Sequence, residues 1–382
     1  FRGFGELAFS NADSLVLSEL SYMRLPGLVP AFGEAKSVAT VPIRELLRAE
    51  SYDEMFVSNS SEMNDYRLSL LRAVCESPRF RGLRVGEYAE RLDEGEQQQF
   101  AAMTFDLGAD FGLYVAFRGT DGTLVGWKED FNMAFQYPVP AQRSASAYLD
   151  MVARLWEGPI ILVGHSKGGN LAIYAAMNAD PKVRKRIQHV YSLDGPGFPP
   201  EIVTSPAYRT IQPKVTKIVP SSSIVGMIFE TPEPCRVVSS DSDGIMQHSA
   251  FTWLLDGDQF ITEPDLSSSS QLFNEELNHW IATLTPEQRE RAVDALFTVL
   301  HANGATSFSE VMSNFPASIP AMLGAYVGLT PADRRHLVEA LAILFKASTA
   351  KRKPTPAPAS APSSATSKAT AEIPAETAAG AD

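Results

Sequence analysis

The chain has 382 residues, of which 45% are hydrophobic and 20% charged, and its formal net charge is −12. That composition supplies a large globular core, and the acidic balance argues against bulk nucleic-acid binding, which needs Lys and Arg to neutralise phosphates. The two cysteines, Cys75 and Cys235, are too few for a disulfide framework and have no metal-ligand spacing.

No apolar run is long enough to span a bilayer. The opening FRGFGELAFSNAD lacks the unbroken apolar core of a signal peptide. Two reduced thiols fit a cytoplasmic setting. The start at Phe1 leaves a removed export signal open.

In chain order, "ADSLVLSELSYMRL" places Leu15, Val16, Leu17, Leu20 and Met23 near helical spacing. "EMNDYRLSLLRAVCES" repeats the pattern with Leu68, Leu70, Leu71 and Val74. The period then changes. "QFAAMTFDLGADFGLYVAFRG" reads as two strands joined by a Gly/Asp turn, and the second, Leu113 to Phe117, is apolar enough for a doubly covered central strand. A helix is expected over Ala145–Leu155, a strand over Ile160–Val163 and a helix over Asn170–Asn178. Strands follow at His189–Leu193 and Val215–Val219. This alternation predicts an α/β fold with a mostly parallel sheet covered on both faces. From about Asn274 to Ala347 the pattern is helical. "TPEQRERAVDALFTVL" and "TPADRRHLVEALAILF" both open with Thr-Pro and acidic residues, a helix-start signature. The expected division is a core with N-terminal helices over residues 1–265, a helical segment over 266–350, and a disordered Ala/Pro/Ser/Thr-rich tail over 351–382.

Gly164-His165-Ser166-Lys167-Gly168 fits G-x-S-x-G, with an apolar strand before it and a helix after it. A sharp strand-to-helix turn exposes such a serine as a nucleophile, and the flanking glycines let neighbouring elements pass closely. His165 is too close along the chain to swing onto the Ser166 hydroxyl, so it reads as a packed or structurally bonded ring. The Lys167 side chain reads as solvated. Its backbone N–H is the useful part.

A serine needs a base, and the base needs an orienting acid. Of the histidines after Ser166, His189 lies at the wrong end of its strand, and His279, His301 and His336 fall in the helical segment. His248 sits in the polar loop "SSDSDGIMQHSAFTW" beyond the strand "CRVVS", where this architecture puts its base. Asp194 follows a strand in "VYSLDGPGF" and is the favoured acid; Asp241 and Asp243 compete. The oxyanion donors expected are Lys167 N–H and Thr120, through its N–H and hydroxyl.

"FRGTDGTLVGWKEDFNMAF", "LVGHSKGGNLAIYAA", "YSLDGPGF" and "QHSAFTW" together resemble the Mbeg-like bacterial proteins, an α/β-hydrolase branch similar to class 3 (fungal-type) lipases. The resemblance spans roughly Ser14 to Trp253. It implies a serine hydrolase of the lipase or esterase kind, with Arg118 and Asp130 as a structural ion pair holding the oxyanion loop. There is a departure. Class 3 lipases carry their acid where this chain has "VTKIVPSSSIVG", with Ser221, Ser222 and Ser223 and no carboxylate. "SLDGPGF" is similar to the acid-bearing block of pancreatic-type lipases, which supports Asp194 and leaves a weakened dyad open.

The expectation is therefore cleavage of a small-molecule or lipid acyl ester, without metal or organic cofactor. Interfacial lipid contact is compatible with it. The alternatives are a thioesterase or phospholipase of the same mechanism, or a silent hydrolase fold serving as a binding module. The aromatic-rich Leu124–Pro140 reads equally as a pocket wall or lid and as core packing.

Overall fold

Eight strands lie in the sheet in strict chain order in a computed structural model, which describes residues 2–349 except 34, 35, 59, 109, 230 and 314. They are β1 (Thr40–Pro42), β2 (Arg84–Asp93), β3 (Gln98–Asp106), β4 (Leu113–Phe117), β5 (Ile160–His165), β6 (Ile187–Leu193), β7 (Val215–Pro220) and β8 (Cys235–Val238). The first four pair antiparallel, and β4 through β8 pair parallel. The expected α/β fold with a mostly parallel hydrolase-type sheet is what forms. The tail expected over 351–382 lies outside the described residues.

The apolar run of β4 divides by the strand period of two. Leu113, Val115 and Phe117 enter a core with α4 (Pro140–Leu155) and α5 (Lys167–Asn178). That leaves α3 for Leu124–Asn132, and α1 and α2 for Asn11–Leu20 and Ser61–Glu76. Tyr114 and Ala116 face the opposite core, where Leu17, Leu20, Leu71 and Val74 of α1 and α2 cover the sheet. The N-terminal helices therefore supply the second layer that a parallel sheet requires.

β2 was not expected, because RVGEYAERLD carries too many charges to read as a strand. Its charges are all met. Glu87 is buried and accepts N–H bonds from Gly33 at 3.1 Å and Ala39 at 2.9 Å. Glu90 takes Arg24 at 3.0 Å and Arg118 at 2.8 Å.

From Ser268 to Thr349 the described residues are mainly helical. The Thr-Pro starts behave as expected: Thr285 caps Pro286–Leu300 in a capping box with Gln288. Leu124, Trp127 and Phe131 of α3 pack on Val293 and Phe297 of that helix. Core packing is thus the role of α3, which joins the sheet to the C-terminal helices within one compact unit. Among the described residues, no helix is long and apolar enough to cross a membrane.

Candidate active site at the carboxyl edge of the sheet

β5 ends at His165 and α5 begins at Lys167, so Ser166 is the turn itself. Its backbone sits at φ 57° and ψ −134°, a strained conformation for a residue with a side chain. The turn is possible because its neighbours are glycines. A Cβ on Gly164 would lie 2.2 Å from the Gly168 carbonyl, and one on Gly168 would lie 2.1 Å from the Phe117 oxygen. The Ser166 N–H donates to Leu193 O at 2.8 Å, which pins the turn to β6.

Three chain-distant groups meet here. His248 Nε2 is 3.0 Å from Ser166 Oγ, and His248 Nδ1 is 2.6 Å from Asp194 Oδ2. With the Nδ1 proton facing the carboxylate, Nε2 is left to accept from the serine hydroxyl. Asp194 is fully buried directly after β6, and its own N–H donates to Ile218 O on β7. Burial works to raise the Asp194 pKa, but the bonds from His248 and Ser223 outweigh it and hold the carboxyl below its ordinary range. Asp241 and Asp243 are exposed, and the carboxylate on the imidazole is Asp194.

Ser223 helps to hold the buried Asp194 carboxylate. Its hydroxyl donates to Asp194 Oδ1 at 2.5 Å, and Gly226 N–H donates to the same oxygen at 3.2 Å. Ser223, just beyond β7, thus braces the Asp194 carboxylate at the end of β6. Gln247 anchors the His248 loop: its Oε1 accepts from Ser222 N–H at 2.7 Å, and its Nε2 donates to Ser242 O at 2.8 Å. Neither residue carries a signal in the sequence that singles it out.

His165 is a bonded, packed ring, as expected. Tyr22 O–H donates to its Nδ1 at 2.9 Å, and its Nε2–H donates to the backbone oxygen of His248 at 2.9 Å. Burial, with help from the nearby His248, pushes its pKa down to about 3. Between that value and the ordinary 6.5, the unfolded chain binds a proton that the folded chain refuses. The ring's contribution to stability is complete above about 6.5 and is lost as pH falls. Denaturation at stepped pH should show wild type losing about 2 kcal/mol relative to His165→Gln between about pH 6.5 and 4.5. Parallel curves for the two proteins would contradict this.

His189, His301 and His336 have partners elsewhere. His189 bonds Thr216 Oγ1 at 2.7 Å, His301 Nδ1 bonds Ala305 O at 3.0 Å, and His336 lies 3.5 Å from Glu339. Among the described residues, no cluster of His, Cys, Asp and Glu is arranged to hold a metal.

Three expectations about the oxyanion side need correction. The Lys167 side chain is not solvated; it is 1% exposed and turns inward beneath the Thr120 loop. Its ammonium donates to Gln99 O at 2.9 Å, Gln99 Oε1 at 2.7 Å and Glu129 Oε2 at 3.1 Å, and lies 3.5 Å from Asp130 Oδ1. Burial opposes its charge, yet Glu129 and Asp130 outweigh burial and raise its pKa. Nor do Arg118 and Asp130 pair. Arg118 turns toward Glu90 on β2 at 2.8 Å, and Lys167 takes the place beside Asp130. Asp130 accepts the Thr120 hydroxyl. That hydroxyl is therefore committed, and Thr120 offers its backbone N–H only. Lys167 N–H, in the first turn of α5, has no acceptor within the helix.

The family model described as Mbeg1-like matches residues 74–298, well over half of the chain. The chain belongs to the Mbeg1-like family. No curated protein and no solved structure matches it. The Mbeg1-like match takes in Ser166, Asp194, His248, Thr120 and Lys167. It leaves out Tyr22, which reaches His165 from just beyond α1.

Proposed function

We propose that this protein is a serine hydrolase cleaving carboxylic acyl esters through an acyl-enzyme. The observation that carries the reading is the continuous chain of contacts from Asp194 through His248 to Ser166 at a strained turn. Nothing in ordinary packing asks for a buried carboxylate, an imidazole and a hydroxyl in series at the carboxyl edge of a parallel sheet, beside a helix N-terminus.

In the first step His248 Nε2 takes the Ser166 proton as Oγ attacks the ester carbonyl. Asp194 stabilises the imidazolium that forms and keeps Nε2 facing the serine. The oxyanion settles against Lys167 N–H and Thr120 N–H, with the positive end of the α5 dipole behind them. His248 then gives its proton to the leaving alcohol. In the second step the imidazole draws a proton from water, which attacks the acyl carbonyl and releases the acid and Ser166. The substrate class is an acyl ester of a small molecule or lipid.

A panel of p-nitrophenyl esters of graded acyl length, run beside matching thioesters with Ser166→Ala as control, tests this reading. Expected is turnover of at least one acyl length that disappears in the variant. Thioester turnover greatly exceeding that of esters would move the substrate class. Equal rates for wild type and variant on every substrate would overturn the proposal.

A further inference from the structure

The Lys167 side chain takes no part in the steps above, yet a full ammonium has been placed in a nearly closed interior. Burying a charge is expensive unless its partners are close and complete, and an apolar side chain would fill that space more cheaply. What the charge holds explains its presence. Its three bonds reach two elements, β3 through Gln99 and α3 through Glu129. Glu129 is itself fully buried and completes the anchor, accepting Gln99 N–H at 2.9 Å and Ala141 N–H at 2.7 Å. Asp130, next on α3, faces the ammonium with one carboxylate oxygen and holds the Thr120 hydroxyl with the other. Gln99 Nε2 donates to Gly119 O at 3.5 Å. The loop bearing Thr120 is thus tied from two sides to one ammonium. That ammonium belongs to the residue directly after Ser166, whose own N–H is read as the other oxyanion donor.

We infer that Lys167 is a positioning residue, whose buried ammonium fixes the spacing between the two halves of the oxyanion hole, its own N–H and that of Thr120. The inference rests on the reading of Ser166 as the nucleophile. The side chain touches neither substrate nor the reacting atoms. It acts through Gln99 and Asp130 on the Thr120 loop. An oxyanion hole works only when its donors stand where charge develops, so a loosened loop costs the transition state and spares ground-state binding.

The test compares wild type with Lys167→Met and with Lys167→Met/Glu129→Gln. The double variant removes the ammonium and its closest buried counter-charge together, leaving only Asp130, which is partly exposed and keeps its bond from the Thr120 hydroxyl. Thermal melting first establishes which variants fold. On a short p-nitrophenyl ester, kcat should fall about 10²-fold in a folded variant, the scale of losing one oxyanion donor, with KM nearly constant. Affinity for an alkyl boronic acid, whose tetrahedral adduct with Ser166 needs the same donors, should weaken by a similar factor. Hydrogen exchange should speed up at the amides of residues 119–123. A folded double variant with unchanged kcat, boronic acid affinity and exchange overturns the inference, as does a loss confined to KM. If wild type itself neither cleaves an ester nor binds the boronic acid, the hydrolase reading fails, and exchange alone decides whether Lys167 holds the loop.

Discussion

Ser166→Ala should lower kcat on an acyl ester by about 10⁶, the loss expected when a nucleophilic serine is removed from a working triad. With Oγ gone there is no acyl-enzyme, and only binding and the oxyanion donors remain to favour direct attack by water. The fold should hardly notice. The hydroxyl's partner is His248, and the strained φ of 57° is equally strained for alanine. The expected change in unfolding free energy is within about 0.5 kcal/mol. Paired kcat and urea-melt measurements check both halves, and an inactive variant that is also unfolded would not count as support.

Asp194→Asn should lower kcat by about 10⁴, through the wrong tautomer of the base. The bonding around the carboxylate dictates which way the amide turns. Oδ1 accepts from the Ser223 hydroxyl at 2.5 Å and from Gly226 N–H at 3.2 Å, so the amide oxygen must occupy that position. The NH2 group then faces His248 Nδ1, which can meet it only as an acceptor. The imidazole proton moves to Nε2, and Nε2 can no longer take the Ser166 proton. The variant should lose kcat with KM little altered. Near-normal turnover would mean that Asp194 does not orient the base.

The strand-to-helix junction at Ser166 was legible because a motif and its context agree over a few adjacent residues. Asp194 and His248 were legible because chain order and strand ends restrict where an acid and a base can stand, and the geometry brings both to Ser166. The destination of Lys167 was not legible. A lysine beside a nucleophile reads as exposed, and Gln99 and Glu129, which bury it, lie 68 and 38 positions away. The same distance effect hid the true partner of Arg118, because Glu90 belongs to a strand whose charges disguise it. Ser223 was read only for the carboxylate it lacks, since a hydroxyl that braces an acid leaves no pattern in sequence. Tyr22 belongs to a segment whose visible signal is its apolar periodicity, which reports the covering of the sheet and is silent about one hydroxyl on an imidazole.

A fluorophosphonate probe incubated with the intact protein, followed by peptide mass spectrometry, tests the central claim most directly. The account predicts one covalent adduct on Ser166, absent from Ser166→Ala and much slowed in Asp194→Asn. Folded wild-type protein that forms no adduct, or that is labelled equally after Ser166 is removed, would contradict it.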